Sequence, residues 1–448
     1  MTIDSISNKH YFKLQFYRNN NKQLFLETVL KYFNFYKIFK SNMVIFHLLV
    51  IFNLISNCSS MSSKDYENKI IQHFQSSFLS SKQSKSAVLL VHSDRLGIHI
   101  NSAAGEVSNY AVDVAGQSNY LSKQKIQTIP TKINQTYHIA SVGKLFTATL
   151  ILQLVEKNKL SLDDKVQDIL SKRILENLFV LKAVDYSSKV TIRQLLNHTS
   201  GIADYFESTN PNKKAVIDDI TLHPDKFWTP MDLLDFTRNK QEAVSIPGKE
   251  FHYSDTGYIL LGLVIEKVEN KSFEKILSEN IFQPLRMNSS YMHLRSKPIQ
   301  RPSLSISPIL LGDQDVTDFK SISSDWAGGG IVSTTYDLLL FHKALIEGKL
   351  ISKANYESMK GNYQFMDGIE YGLGMMTVDF GKMSFFIPSI PKLHGHSGIL
   401  GTLLFYSPDF DTHIIVNLGN TDDVGESFEM MYWILSEIEK INELKNRK

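Results

Sequence analysis

The sequence predicts a mixed α/β fold: an antiparallel sheet flanked by helices, built from both chain ends, with a mainly helical second lobe between them. Three observations predict it. Two short apolar runs near the start, residues 87–92 and 97–101, are joined by Ser93-Asp94-Arg95 and read as a hairpin. Two more near the end, residues 400–406 and 412–418, flank the turn signal Ser407-Pro408-Asp409. Between them, residues 160–320 alternate helical stretches with polar loops and carry no long β pattern. The terminal strands must then meet in one sheet, and a cleft between the two lobes is the natural place for a site.

The elements follow in order. Residues 64–79 set Ile70, Ile71, Phe74 and Phe78 at helical spacing, ahead of the hairpin. From 146 to 158, Phe146, Leu150, Leu152, Leu154 and Val155 mark a helix apolar on most of its surface, hence mostly buried. An amphipathic helix over 426–441 closes the chain, with Met430, Trp433, Ile434 and Ile438 on one face.

A composition of 43% hydrophobic and 21% charged residues is that of a globular protein with a sizeable core. The net charge of +2 implies no nucleic-acid partner. That charge is uneven. Residues 1–42 hold seven Lys or Arg against Asp4 and Glu27, so the basic excess belongs to the N-terminus and the folded body is mildly acidic. The one cysteine, Cys58, excludes an intramolecular disulfide and a Cys-ligated metal cluster. It follows the most apolar stretch of the chain, residues 43–56, which is short for a membrane span of about 20 residues but fits the apolar core of a signal peptide. Leu54-Ile55-Ser56-Asn57-Cys58 resembles a bacterial lipoprotein box, although Asn57 is larger than the small residue usual there. The organisation expected is a basic extension over 1–42, with Met43 as an alternative start. A signal peptide or lipoprotein anchor with its linker follows over 43–63. The folded domain then covers 64–445, its helical lobe lying at about 145–325. Export to the periplasm or the membrane surface is expected, with lipidation of Cys58; the alternative is an uncleaved anchor in which Cys58 is an ordinary thiol.

Ser-x-x-Lys is a weak pattern alone, since Ser122/Lys125, Ser272/Lys275 and Ser389/Lys392 share the spacing. Ser141-Val142-Gly143-Lys144 differs in context, standing between an extended segment and the buried helix. Ser141 is thus expected at a helix start, where the dipole favours negative charge on its oxygen, with Lys144 on the same face. A lysine drawn into a desolvated cleft is expected to lose proton affinity and serve as base. Two further segments complete a set. Tyr253-Ser254-Asp255 lies on a turn before an apolar helix, and Gly395-His396-Ser397-Gly398 precedes the C-terminal strands. Each alone reads as packing or capping; their order across the whole body does not.

Ile139-Ala-Ser-Val-Gly-Lys-Leu-Phe-Thr-Ala resembles the nucleophile motif of class C β-lactamases, D-alanyl-D-alanine carboxypeptidases and their esterase relatives. Leu160-Ser-Leu-Asp-Asp-Lys-Val166, Thr191-Ile-Arg-Gln-Leu-Leu-Asn-His-Thr-Ser-Gly-Ile202, Ile281-Phe-Gln-Pro-Leu-Arg-Met287, Ala327-Gly-Gly-Gly-Ile-Val-Ser333 and Tyr371-Gly-Leu-Gly374 fit the same superfamily in order. The resemblance implies that Ser141 is acylated and that Lys144 and Tyr253 shuttle its proton. It implies that His396, where many relatives have Lys, holds Tyr253 or a substrate carboxylate. It further implies that the backbone N–H groups of Ser141 and Ile399 hold the oxyanion, beside Ser397 and Gly398. Asp255 stands where Asn is more usual, which turns expectation from good β-lactams toward amine-bearing substrates. The implied partners are a peptidoglycan peptide, a β-lactam or an ester, with no cofactor and no metal. A D,D-peptidase or β-lactamase-like hydrolase at the cell envelope is the leading expectation. The alternatives are a carboxylesterase and an inactive peptidoglycan-binding relative on the same fold.

Rival hydrolases lack their marks. No Gly-x-Ser-x-Gly elbow surrounds Ser141 or Ser397, no His-Glu-x-x-His occurs among the 14 histidines, and no Glu-x-x-Leu-Asn marks a class A deacylating base.

Overall fold

Nine strands make the principal sheet of the computed structural model. They are β1 (Ser86–Ser93), β2 (Ile98–Asn109), β3 (Gln127–Pro130), β4 (Tyr363–Met366), β5 (Ile369–Tyr371), β6 (Met376–Val378), β7 (Leu393–Gly398), β8 (Thr402–Ser407) and β9 (Thr412–Asn417). Their order is β4-β5-β6-β7-β8-β9-β1-β2-β3, with every neighbouring pair antiparallel. Two meanders, one from each end of the chain, are therefore joined through β9 and β1, where Leu89 faces Val416. The structure describes residues 61–81, 84–109, 127–207, 215–300, 302, 304–361, 363–383 and 390–446. The basic extension, the apolar run 43–56 and Cys58 lie outside them. Among the described residues no helix is long and apolar enough to cross a membrane.

Strand periodicity divides the core in two. Leu89 and Val91 of β1, Leu403 and Phe405 of β8, and Ile414 and Val416 of β9 face α1 (Ser63–Ser80) and the C-terminal helix, which meet them with Ile70, Phe74, Met430, Ile434 and Ile438. His73 and Trp433 stack across these two terminal helices, ring centres 4.0 Å apart. The alternate residues Val88, Leu90, Leu404 and Ile415 face the larger core of the helical lobe. At its centre run α2 (Gly143–Glu156), nearly all of it buried, and α3 (Asp255–Glu269).

One rung of that second face is polar. His394, Tyr406, His413, His92 and His99 stand side by side across β7, β8, β9, β1 and β2. Helix α4 (Thr335–Ile346) covers the row and sets His342 Nδ1 3.3 Å from His413 Nδ1.

The hairpin, the buried helix after Ser141, the late strand pair and both terminal helices fall where the sequence puts them. Strands β4, β5 and β6 were not anticipated. They are four, three and three residues long, too short to display a period of two.

Candidate active site

Ser141 sits in a 3₁₀ turn, Ala140–Val142, that runs directly into α2. A three-stranded sheet anchors the approach: Tyr137–His138 pairs with Ile331–Ser333, which pairs in turn with Tyr291–Met292. Ile139 N then donates to Ile331 O at 2.9 Å. Ala140 is held at φ +48°, a left-handed backbone that an alanine adopts only under constraint. The kink leaves Ser141 partly exposed among buried neighbours.

One helical turn on, Lys144 is wholly buried, and its Nζ spends all three donors. It donates to Ser141 Oγ at 2.9 Å, to Gly328 O at 3.0 Å and, in a very close contact, to Asp255 Oδ1. This overturns the expectation of a lysine with weakened proton affinity. Burial does push Lys144 down. The charges of Asp255, Tyr253 and Asp325, with the Asp255 hydrogen bond, outweigh it and raise Lys144 above its ordinary value.

Tyr253 lies on the loop before α3, its ring centre 5.0 Å from Lys144 Nζ. The loop is tied to the segment around His198: His252 N donates to His198 O at 2.8 Å, and Ser254 N donates to His198 Nδ1 at 3.1 Å. The His198 and Tyr253 ring centres are 4.2 Å apart, and Phe365 of β4 stacks on Tyr253 at 5.4 Å. Burial, with the charge of Asp255, raises the Tyr253 hydroxyl well above its ordinary value; Lys144 and Ser141 pull the other way and offset only part of this.

His396 does not reach Tyr253. Its Nε2 lies 3.0 Å from Tyr371 Oη and its Nδ1 2.6 Å from Ser397 O. A carbonyl only accepts, so Nδ1 carries the proton and Nε2 accepts from the tyrosine. Burial and the Lys144 charge push His396 down to about 3, so the ring is neutral. With both nitrogens engaged it has none to offer a substrate carboxylate, and the role expected for it shifts to fixing Tyr371. That tyrosine packs at 5.8 Å against Tyr253. Ser397 Oγ turns to Met376 Sδ at 3.4 Å.

The end of β7 passes against the nucleophile turn. A Cβ on Gly398 would stand 2.7 Å from Ile139 O and 3.3 Å from Ser141 N, so only glycine permits this approach. The turn residue Ile399 follows at once. The run Ala327-Gly-Gly-Gly330 seats itself under the same turn. A Cβ on Gly143 would meet Gly329 Cα at 2.7 Å.

Two carboxyls of the site escaped the sequence reading. Asp204 accepts from the backbone N of Asp255 at 3.0 Å, of Phe206 at 3.1 Å and of Glu207 at 3.2 Å, which locks the start of α3. Asp325 ends a 3₁₀ stretch immediately before the glycine run, and burial and the neighbouring Asp255 push it up to about 8 against the pull of Lys144. Its place just ahead of Trp326-Ala-Gly-Gly-Gly was the signal available. Among the described residues, no group of three or more His, Cys, Asp or Glu is arranged to hold a metal ion.

The chain is similar to known proteins over most of its length. Penicillin-binding protein 4* of Bacillus subtilis is 32% identical over 289 residues, covering 60% of this chain. The match spans 56% of that protein, little more than half its length. The putative penicillin-binding protein PbpX of the same organism is 24% identical over 336 residues, 74% of this chain and 72% of that one. A solved D-stereospecific amidohydrolase from Streptomyces sp. superposes with a TM-score of 0.63 at 25% identity, over 81% of this chain and 97% of that one. The Beta-lactamase family model matches residues 107–434. The chain thus belongs to the Beta-lactamase family, as a penicillin-binding-protein-like serine hydrolase.

Proposed function

We propose that the chain hydrolyses an amide through an acyl-enzyme on Ser141, as a D,D-peptidase or β-lactamase-like enzyme of the cell envelope. The observation that carries this reading is the 2.9 Å contact of Ser141 Oγ with a buried Lys144. The similarity to a D-stereospecific amidohydrolase supports an amide as substrate.

Lys144, held as an ammonium by Asp255, orients Ser141 and cannot itself accept a proton. The small ionised fraction of Tyr253 takes the Ser141 proton as Oγ attacks the carbonyl carbon, its raised proton affinity making activity climb with pH. The oxyanion forms between the N–H groups of Ser141 and Ile399. Tyr253 then returns the proton to the leaving nitrogen as the C–N bond breaks, and water releases the acyl group by the same relay in reverse. The intact Ser–Lys–Tyr set argues against an inactive binding module.

An esterase reading is favoured by one feature. Phe206, Ile306, Phe319 and Ile399 line a small apolar cluster that includes Ala140, next to the nucleophile, and suit an apolar acyl group. Turnover of nitrocefin, a D-alanyl-D-alanine peptide and a short-chain nitrophenyl ester, compared on one preparation, decides between the two. Intact mass after a β-lactam or a fluorophosphonate tests the nucleophile. One adduct is expected, and an adduct that survives Ser141→Ala removes the assignment.

A further inference from the structure

Three carboxyls belong to this site, and among the described residues only two of them have hydrogen-bond partners. Asp255 holds Lys144 Nζ. Asp204 is occupied by three backbone N–H groups. Asp325 receives no hydrogen bond from any described residue, and Lys144 has no donor left to give it, its three N–H bonds being spent on Ser141, Gly328 and Asp255.

Asp325 is nonetheless close to the reacting groups. A Cβ on Gly328 would lie 3.4 Å from Asp325 Oδ1, 2.9 Å from Asp255 Oδ1 and 3.7 Å from Lys144 Nζ. A Cβ on Gly329 would lie 2.6 Å from Asp325 Oδ2 and would strike the Ala140 carbonyl, one bond from Ser141. The two glycines put no side chain between Asp325 and the nucleophile turn. The residue as a whole is only partly buried, while its carboxyl sits in a desolvated place that raises its proton affinity.

We propose that Asp325 is the receptor for a substrate ammonium beside the scissile carbonyl, which makes the preferred substrate an amino-acid amide or peptide with a free amine. This rests on the acyl-enzyme reading of Ser141. The charge balance of the site motivates it. Lys144 and Asp255 neutralise each other, so an ionised Asp325 leaves one negative charge uncompensated in a desolvated place. A carboxyl so placed keeps its proton while the site is empty, in line with its raised proton affinity. An arriving ammonium supplies the missing positive charge, and Asp325 gives up its proton to form the pair. An N-acylated substrate brings no such charge and leaves Asp325 protonated.

The test uses the full chain with an amino-acid p-nitroanilide bearing a free amine and its N-acetylated counterpart. Wild type is expected to favour the free amine by at least about tenfold in kcat/KM, the size of one charge-assisted hydrogen bond. Asp325→Asn is expected to collapse that ratio, with the loss falling on KM, and Asp325→Glu to restore part of it. Fluorophosphonate labelling of Ser141 reports separately on fold and nucleophile. Wild type that labels but shows no preference for the amine overturns this proposal alone, as does an Asp325→Asn variant that labels and loses both substrates equally. Wild type that does not label overturns the acyl-enzyme reading and this proposal with it.

Discussion

Lys144 Nζ bridges Ser141 Oγ and Asp255 Oδ1, so the group behind the proposed nucleophile is one half of a buried ion pair. The same carboxylate raises the proton affinity of both Lys144 and Tyr253. Asp255 therefore acts on both proton carriers in one direction.

The first prediction follows from that shared direction. Activity needs the deprotonated form of Tyr253 and climbs as pH rises. Asp255→Asn removes the negative charge, lowers both proton affinities and moves the rising limb of kcat/KM to lower pH. A pH–rate profile of the variant superimposing on wild type would show that Asp255 has no electrostatic role.

Lys144→Ala removes the ammonium that orients Ser141. Acylation is expected to slow by about two to four orders of magnitude, because Tyr253 loses the neighbouring positive charge that favours its ionised form and with it the proton transfer it performs. The measurement is single-turnover acylation by a chromogenic β-lactam or ester. A loss below about tenfold would mean that Tyr253 works without the lysine.

Gly398→Ala forces a Cβ to within 2.7 Å of Ile139 O and 3.0 Å of Ala140 Cβ. Overpacking of this kind costs about 1–3 kcal/mol, and the strain falls on the strand end that lies against Ser141. kcat/KM is expected to fall by more than tenfold while circular dichroism stays native. Unchanged turnover would show that Ile399 has no part in holding the oxyanion.

His342 and His413 supply an acid limit. Burial pushes His342 down to about 3 and His413 well below its ordinary value, so both are neutral in the folded chain. In the unfolded chain they protonate near pH 6.5. Stability is therefore fully present above that pH. It falls as pH drops from 6.5 toward 3, by about 1.4 kcal/mol per pH unit for each fully buried histidine. Urea midpoints at pH 7.5 and pH 5 should differ accordingly, and His342→Phe should narrow the gap. Equal midpoints for wild type at the two pH values would contradict the buried neutral pair.

Cys58 carries the expectation of export. Palmitate labelling in a bacterial host that acylates lipoproteins should vanish in Cys58→Ala. Soluble cytoplasmic protein with an intact N-terminus would refute export.

The proposed catalytic set was legible because its residues lie close in sequence. Ser141 and Lys144 are three residues apart on one turn, and Tyr253 and Asp255 share another. What sequence could not supply was the sum of opposing effects on Lys144. Burial and a carboxylate from residue 255 act in opposite senses, and their balance depends on a close contact that no spacing reveals. His396 was found by motif but given the wrong neighbour, because Tyr371 comes from a three-residue strand with no readable period. Asp325 was passed over for the same reason as Asp204: each is a single aspartate at the edge of a loop, and only folding brings Asp325 to the lysine and Asp204 to the backbone of Asp255.

The union of β9 with β1 has a consequence for biogenesis. The first strand made is an interior strand of the finished sheet, flanked by β2 and by β9. A chain emerging N-terminus first keeps one edge of β1 bare until residue 417 has been synthesised, and a lone hairpin is marginal in water. The sheet is thus completed last at its middle, through the most distant pairing in the sequence, which is a slow step. A chain that stops after Ser407 loses a central rib of the sheet along with its tail, and leaves β1 and β8 as two bare edges open to pairing with other chains.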